Sequence, residues 1–402
     1  MEENRNQTQY QYNYYQNLYN TFGGYNPEID LRSKEICRMG MLAGGALIGF
    51  TVMQYVISYV LSFLGLAELY TNDVVFQMGL SCIAPIFYVV LPFGVIYLIY
   101  NPHEKESVSV FDKPKSKELF LFAAFAGLMI CSVGDRITSF LQAVFDGAGL
   151  EFSAFEMLTP NDLTSNVLNF IACAVVPPLV EELAFRGILM QPLRKFGDKF
   201  AIVMSSLIFA LAHGNMVQIP FAFIAGLALG YFQIITGSIW TSIAIHFLNN
   251  FIATVISVYY TAFPNASDLF FILIEGAIFV IGVFAMILFF VNKNGKLQND
   301  NSEFKGGIKY ASFLCTPTVI ISVIIAINSS LTNTKITRGF GILTLVTANA
   351  FISILTICGA LKLHRDSRIN YSGKYTFSAV IMCLTTIIGS FALMLSVFSG
   401  GF

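Results

Sequence analysis

Two carboxylates and a guanidinium interrupt the apolar run 167–190, in the segment PPLVEELAFRG. Each such charge costs about 2.5–3.5 kcal/mol at the centre of a membrane helix, so a chain that keeps three of them together normally uses them. Glu182 and Arg186 are four residues apart and share a helix face, on which the two charges can neutralise each other. Glu181 is rotated by about 100° from Glu182 and needs a partner on another helix or access to water.

Two consecutive prolines, Pro177 and Pro178, lie shortly before the acidic pair. Proline has no N–H, so the carbonyls of Cys173 and Ala174 lose their helical donors, and a kink is expected just before the acids. An ion pair can also serve a purely structural purpose by locking a helix bundle. The segment alone therefore leaves a functional and a structural interpretation open.

The composition places this segment in a membrane. Only 12% of the 402 residues are charged and 55% are hydrophobic, whereas soluble domains carry about 25% charged residues. The net charge of −1 predicts no nucleic-acid partner. None of the seven cysteines forms a CxxC pair, which argues against a zinc knuckle or a disulfide framework. We expect an all-α, polytopic membrane helix bundle.

Eleven apolar runs are long enough to cross a bilayer. Their limits are 37–64, 74–100, 119–144, 165–190, 199–216, 219–236, 238–261, 268–291, 310–331, 340–362 and 376–398. Residues 1–36 are polar and rich in Asn, Gln and Tyr, and we interpret them as a disordered cytoplasmic tail.

Basic residues alternate between the loops, as the positive-inside rule requires. Lys and Arg precede span 1 and occur between spans 2 and 3, 4 and 5, 8 and 9, and 10 and 11. The opposite loops 65–73, 145–164 and 262–267 contain neither, and only Lys335 and Arg338 break the pattern. The alternation predicts a multi-pass protein of the cell membrane with a cytoplasmic N-terminus and an external C-terminus.

The polar loop 292–309 is a candidate domain boundary. It would be a cytoplasmic linker between an eight-helix core, 37–291, and a three-helix C-terminal membrane extension, 310–402. The three spans of the extension contain no acidic residue and no histidine, so we expect no chemistry there. No convincing internal repeat is visible, which disfavours a transporter.

Two further spans carry polar pairs at helical spacing. FALAH in span 5 places Phe209 and His213 on one face, and HFLNN in span 7 places His246 and Asn250 on one face. At 1.5 Å per residue, Glu181, His213, His246 and Asn250 all lie about 14–21 Å above the cytoplasmic ends of their helices. The four side chains thus fall into one slab of the bilayer, which predicts that they form one site.

Other small or charged residues inside the spans are interpreted as packing or pairing residues and not as catalytic ones. Gly226 and Gly230 in span 6 form a GxxxG motif, which predicts close helix packing. Asp135 and Arg136 in span 3 are adjacent in sequence, so we expect them to point to different faces and to pair elsewhere. Glu275 in span 8 is isolated and is expected to meet a buried base or to stay protonated.

The polar site has the parts needed for peptide hydrolysis without a covalent intermediate. A water held between Glu181 and His213 can give up a proton, which is then passed to the leaving amine. His246 and Asn250 lie one helical turn apart and offer two donors to the oxyanion of a tetrahedral intermediate.

A zinc site is the competing interpretation, with Glu181, His213 and His246 as ligands. The chain has no HExxH motif, and these ligands would come from three separate helices, so we favour the metal-free version and expect no cofactor. In the metal-free version, Arg186 would orient the acids through its ion pair with Glu182.

The three motifs EELAFR at 181–186, FALAH at 209–213 and HFLNN at 246–250 resemble those of the CPBP family. This family comprises the type II CAAX prenyl proteases and bacteriocin-processing intramembrane proteases, also called the Abi family. Its pattern is EExxxR, then FxxxH, then HxxxN or HxxxD, and this sequence matches every motif position. The resemblance covers about 163–260, a quarter of the chain.

The resemblance implies an intramembrane endopeptidase and a role for each motif residue. Glu181 would be the base, His213 would help to activate the water, and His246 and Asn250 would stabilise the oxyanion. The supporting motif residues would be Glu182, Arg186 and Phe209. The family was described first as metalloproteases and later as glutamic proteases, so the resemblance leaves both versions open.

The implied partners are the lipid bilayer and a membrane-associated or lipidated protein or peptide substrate. Eukaryotic members of the family cut prenylated CAAX proteins after the lipidated cysteine, and bacterial relatives are linked to bacteriocin maturation or self-immunity. Two alternatives remain beside the protease. One is a non-catalytic membrane immunity or scaffold protein, and the other is a proton-coupled transporter that uses Glu181, Glu275 and the histidines.

Overall fold

The computed structural model describes residues 27–100, 111–152, 162–265, 267–293, 295–298, 306–332 and 334–336. These residues form a bundle of helices, seven of which are long and apolar enough to cross a membrane. Many large apolar side chains on their outer faces are exposed, as expected of surfaces that face lipid. The predicted all-α membrane bundle is confirmed.

The helices are numbered here in chain order. They are α1 (Pro27–Phe63), α2 (Ala67–Asn72), α3 (Val74–Pro85), α4 (Leu91–Tyr100), α5 (Lys117–Gly147), α6 (Leu163–Phe170), α7 (Val176–Glu182), α8 (Met190–Leu193), α9 (Asp198–Ala212), α10 (Ile219–Thr236), α11 (Ile239–Ala262), α12 (Leu269–Asn292), α13 (Gly306–Leu314) and α14 (Pro317–Thr332). Some of them are joined without a break by π-helical segments, which are Ile86–Val90, Ile171–Val175 and Leu183–Leu189.

Within the described residues, two of the predicted spans are not matched by a single helix long enough to cross a membrane. Helix α9, the predicted span 5, has only 15 residues, so at about 22 Å it falls short of the ~30 Å hydrocarbon core. The predicted span 9 is divided into two helices, since α13 ends at Leu314 and α14 begins at Pro317. Proline is well tolerated at the first position of a helix, where its missing N–H has no helical acceptor to lose. Spans 10 and 11 lie outside the described residues, so the count of eleven stays a prediction.

The N-terminal helix begins earlier than predicted. Helix α1 starts at Pro27, so the prediction of a disordered tail over 1–36 is wrong for its last ten residues. Contacts with the bundle account for this, because Ile36 is fully buried and the hydroxyls of Ser33 and Ser312 lie 3.2 Å apart. Residues before Pro27 lie outside the described part of the chain.

Helices α13 and α14 pack against α1. The hydroxyl of Thr318 donates to the carbonyl of Met41 at 2.9 Å, and that of Ser322 donates to the carbonyl of Gly44 at 3.0 Å. A Cβ on Gly44 would lie 2.3 Å from the backbone nitrogen of Val319, so glycine is required for this close contact. The described part of the predicted C-terminal extension is therefore in direct contact with the core, and the domain boundary itself stays a prediction.

A short antiparallel pair of strands was not predicted. Strand β1 (Leu150–Phe152) follows α5 and pairs with β2 (Thr334–Ile336), which follows α14. Three residues are too few for an alternating pattern to stand out from a loop in the sequence. The pair ties the loop after α5 to the end of α14.

Helix α10 packs against α5, α9 and α11, and its glycines determine how closely it approaches its neighbours. A Cβ on Gly226 would lie 2.9 Å from Cβ of Ser206 and 3.1 Å from Nη2 of Arg186. A Cβ on Gly230 would lie 3.3 Å from Sδ of Met190. The close packing predicted from the GxxxG motif is confirmed, and at Gly226 it makes room for the charged group of the acidic motif.

Gly226→Ala is expected to lower the free energy of unfolding by about 1–3 kcal/mol, because the added methyl overlaps with Ser206 and the Arg186 guanidinium. The measurement is thermal or denaturant unfolding of the purified protein in detergent. Gly276→Ala is the matched control, since a Cβ on this helical glycine would meet no atom within 4 Å. An equal loss of stability in the two variants would contradict the prediction.

Candidate active site

The acidic motif lies on one long helical run, Leu163–Phe196, which is called the motif helix below. Its N-terminus is fixed by Asp162, whose carboxylate accepts a hydrogen bond from the backbone N–H of Ser165 at 3.0 Å. This hydrogen bond lowers the pKa of the Asp162 carboxyl, which lies just outside the membrane span. The FxxxH motif lies on α9 and the HxxxN motif on α11, so three separate helices supply the predicted site.

The proline pair connects the motif helix to α11. The helix is π-helical over Ile171–Val175, directly before the prolines. The carbonyl of Cys173, which cannot find a helical donor at Pro177, instead accepts from Nδ2 of Asn250 at 2.9 Å. The predicted loss of the helical donor therefore explains a contact between two of the motif-bearing helices.

Glu182 and Arg186 form the predicted ion pair, with 3.1 Å between Oε1 and Nη1, and both side chains are fully buried. The same Oε1 accepts from Nδ1 of His246 at 3.0 Å. The guanidinium carbon lies 4.3 Å from the centre of the Phe209 ring, in cation–π geometry. Residues from all three motifs are thus held together in the interior of the bundle.

The Phe209 ring is the common neighbour of both predicted site histidines. Its centre lies 5.0 Å from that of His213 and 6.0 Å from that of His246, and both pairs meet edge to face. Phe185 of the motif helix packs on it at 5.1 Å. The phenylalanine of the FxxxH motif therefore acts as a spacer between groups from three helices.

His213 lies at the C-terminal end of α9, where Gly214 turns the chain with a φ of +57°. Nδ1 of His213 lies 3.0 Å from the carbonyl oxygen of Phe209. Because a carbonyl can only accept, Nδ1 is the donor, and Nε2 of the neutral ring carries the lone pair. Since α9 is too short to cross the bilayer, we expect this imidazole at its C-terminal end to lie within the membrane.

The two glutamates have different surroundings. Glu181 is about a quarter exposed (24%), and its Oε2 lies 4.0 Å from Nε2 of His246, whereas Glu182 is fully buried. That separation is longer than a hydrogen bond and suits a bridging water. His246 therefore lies between the two acids, with Nδ1 held by Glu182 and Nε2 facing Glu181.

Asn250 has a structural contact in addition to its predicted chemical role. One N–H of its amide binds the carbonyl of Cys173, and its Oδ1 accepts from Nδ2 of Asn249 at 3.1 Å. An amide nitrogen carries two hydrogens, so a second donor remains for other partners. The oxyanion role of Asn250 stays a prediction.

Residues 163–252 match the family model of the type II CAAX prenyl endopeptidases, described as Rce1-like. The chain contains an Rce1-like domain. The matched range includes every motif residue named above, so the family resemblance found in the sequence is confirmed. The match supports a CAAX-type intramembrane protease in general terms. The comparisons with curated proteins and with solved structures found no match.

Two glutamines that support the Rce1-like domain were missed in the sequence. Gln191 and Gln233 both donate to the carbonyl of Arg186, at 3.0 and 3.4 Å, and the hydroxyl of Ser242 donates to Oε1 of Gln233 at 3.1 Å. The carbonyl lies in the π-helical segment Leu183–Leu189, in which the regular α-helical hydrogen bonds are shifted. An amide in the otherwise apolar GYFQII of α10 was the signal that could have revealed this brace.

Asp135 and Arg136, which lie outside the Rce1-like domain, are paired differently from the prediction. Asp135 and Arg136 bind each other, with 2.7 Å between Oδ2 and Nη2, so the expectation that they pair elsewhere is wrong. Both side chains are about half exposed, and the long arginine side chain can turn back towards its neighbour in the sequence. Glu275 accepts a hydrogen bond from the hydroxyl of Ser132 at 2.5 Å, and whether it stays protonated remains a prediction.

The metal-free interpretation and the competing zinc site made from Glu181, His213 and His246 both stay predictions. Among the described residues, no group of three His, Cys, Asp or Glu side chains is placed to hold a metal ion. If Nε2 of His246 and Glu181 both held a tetrahedral zinc at about 2.0–2.2 Å, these two ligand atoms would lie about 3.3–3.6 Å apart. In the structure they lie 4.0 Å apart, and Nδ1 of His246 is bound to Glu182.

Proposed function

We propose that the protein is an intramembrane endopeptidase that hydrolyses a peptide bond of a membrane-associated or lipidated protein or peptide, with Glu181 as the base. The observation that carries this proposal is the difference between the two glutamates. Glu182 is bound to Arg186 and to His246, whereas Glu181 keeps its carboxylate accessible beside Nε2 of His246. A general base needs this access to water, and a buried ion pair cannot supply it.

In the proposed reaction, Glu181 removes a proton from a water that attacks the carbonyl carbon of the scissile bond. His213 accepts a hydrogen bond from this water at Nε2, because its Nδ1–H is held by Phe209. The proton is then transferred to the nitrogen of the leaving amine as the C–N bond breaks.

The negative oxygen that forms during the attack needs donors. His246 can donate from Nε2 when the ring is protonated, and the Glu182 carboxylate at its Nδ1 stabilises that imidazolium. The second N–H of Asn250 supplies another donor one helical turn away. Arg186 acts through Glu182 by holding this carboxylate in place.

The proposed orientation places the N-terminus in the cytoplasm and the C-terminus outside the cell. The distribution of Lys and Arg supports it, because the loops between α4 and α5 and between α12 and α13 are basic, whereas the segment 65–73 between α1 and α3 has no basic residue. In this orientation the motif helix runs from the outer to the inner surface, with Glu181 towards the middle or outer half of the bilayer.

The deciding experiment compares the termini of membrane proteins, by mass spectrometry, in host cells that express the wild type or Glu181→Gln. New peptide termini that depend on Glu181 would support the protease and identify its substrate. If both proteins produce identical termini, and any host phenotype is retained by the variant, the immunity or scaffold alternative is favoured instead.

We also propose that the reaction needs no metal. Removal of metal ions with EDTA or 1,10-phenanthroline is expected to leave cleavage by the purified protein unchanged, because the chain has no HExxH motif and the candidate ligands would come from three separate helices. A membrane zinc protease treated in the same way is the control for effective chelation. Loss of cleavage that zinc restores would overturn the metal-free mechanism and leave the protease assignment intact.

A further inference from the structure

A groove of about 460 Å³ lies on the outer surface of the bundle between α5 and α12. It is lined by Ser132, Val133, Arg136, Ile137, Phe140, Glu275 and Phe279. Cys131, next to Ser132 in the sequence, is buried on the inward face of α5. The groove therefore opens away from the interior in which the Rce1-like motifs meet.

One end of the groove lies at the same depth in the bilayer as the first turn of α12. The guanidinium carbon of Arg136 lies 4.8 Å from the ring centre of Phe271, the third residue of this helix. Ser132, which binds Glu275, precedes Arg136 by one helical turn and lies about 6 Å deeper in the bilayer. A cation at the membrane boundary and a carboxylate one turn below it thus line the same groove.

Both charged groups retain hydrogen-bonding capacity towards a ligand. Arg136 is half exposed, and the guanidinium has five N–H donors, of which its contact with Asp135 uses one. Oε2 of Glu275 accepts a hydrogen bond from the Ser132 hydroxyl, and a carboxylate can accept further hydrogen bonds at its other oxygen. Charges on a lipid-facing surface are costly unless they find partners, so a ligand with complementary charges would be favoured.

We propose that this groove binds a phospholipid with a primary ammonium headgroup, phosphatidylethanolamine. Its phosphate binds Arg136 at the membrane boundary, and its ammonium donates to Glu275. An acyl chain then lies against Val133, Ile137 and Phe279, all of which are at least a third exposed.

Charge complementarity favours this lipid over other bilayer lipids. The ammonium of phosphatidylcholine is fully methylated and has no N–H to donate to Glu275. Phosphatidylglycerol has no cation, and its net negative charge would lie near the two carboxylates of Asp135 and Glu275. Only the ethanolamine headgroup of these three combines an anion for Arg136 with a charged donor for Glu275.

The test is native mass spectrometry of the full-length protein in detergent, titrated with the three lipids carrying identical acyl chains. We expect phosphatidylethanolamine to bind about tenfold more tightly than phosphatidylcholine, the size of one charge-assisted hydrogen bond. Glu275→Gln is expected to abolish this preference, and Arg136→Gln is expected to weaken the binding of all three lipids. Glu68→Gln, which neutralises an exposed carboxylate on α2, is the matched control and should keep the preference.

Three results would overturn the proposal. They are equal binding of the ethanolamine and choline lipids by the wild type, a preference that survives in Glu275→Gln, and tightest binding of phosphatidylglycerol. Thermal unfolding with and without each lipid provides a second measurement. A folded Glu275→Gln should unfold at the same temperature with the ethanolamine and choline lipids, whereas the wild type should be stabilised more by the former.

Discussion

Glu181→Gln is expected to reduce peptide-bond cleavage by about 10²–10⁴-fold, the usual contribution of a general base. The glutamine keeps the shape of the side chain and removes its capacity to take a proton from water. The same substitution should change the free energy of unfolding by about 0.5 kcal/mol or less, because Glu181 is partly exposed and its Oε2 lies beyond hydrogen-bond distance of His246.

The prediction is tested with purified protein and the substrate that the comparison of peptide termini identifies. Cleavage is measured as the rate of product formation, and stability is measured on the same preparation by thermal unfolding in detergent. Glu68→Gln is again the matched control, since it neutralises an exposed carboxylate outside the candidate site. Cleavage by Glu181→Gln at the wild-type rate would exclude Glu181 as the base, and unfolding of this variant would show a structural role.

Helical spacing and the cost of charge in a bilayer explain why so much of the site could be predicted. Glu182 and Arg186 are paired as their four-residue spacing requires, and Phe209 and His213 are in contact for the same reason. The effect of Pro177 was also predictable, because a missing N–H has a definite consequence for one carbonyl.

The details that depend on packing between helices could not be predicted. Spacing along α11 places His246 on the correct face, but it does not show that Nδ1 binds Glu182 while Nε2 faces Glu181 at 4.0 Å. The support of the Arg186 carbonyl by Gln233 depends on a π-helical segment that has no pattern of its own in the sequence. The direction of each side chain is set by neighbours that are distant in the chain.

The errors outside the site have the same origin. The sequence rule that adjacent residues on a helix point apart ignores the reach of a long side chain, so it missed the ion pair of Asp135 with Arg136. The polar character of the segment before residue 37 suggested a tail, but the burial of Ile36 and the contact of Ser33 with Ser312 extend α1 to Pro27. In each case a tertiary contact overrides the local pattern.

Glu182→Leu is expected to lower the free energy of unfolding by about 3–5 kcal/mol, whereas Glu181→Gln leaves it nearly unchanged. The Arg186 guanidinium is fully buried, and the substitution would leave it without its anion. The cation–π contact with Phe209 remains, but it is too weak to replace an ion pair in the interior of a membrane protein. Unfolding of the purified variant in detergent measures this loss.

The double variant Glu182→Leu/Arg186→Met separates stability from catalysis. Replacing both charges with apolar side chains of similar size should recover most of the stability, because no uncompensated charge remains. Cleavage should nevertheless stay about a hundredfold below that of the wild type, because Nδ1 of His246 has lost the carboxylate that orients its ring. If the double variant cleaves like the wild type, Glu182 serves only to neutralise Arg186. If it is as unstable as Glu182→Leu, the stability of this region depends on the ion pair itself and not on the absence of an unpaired charge.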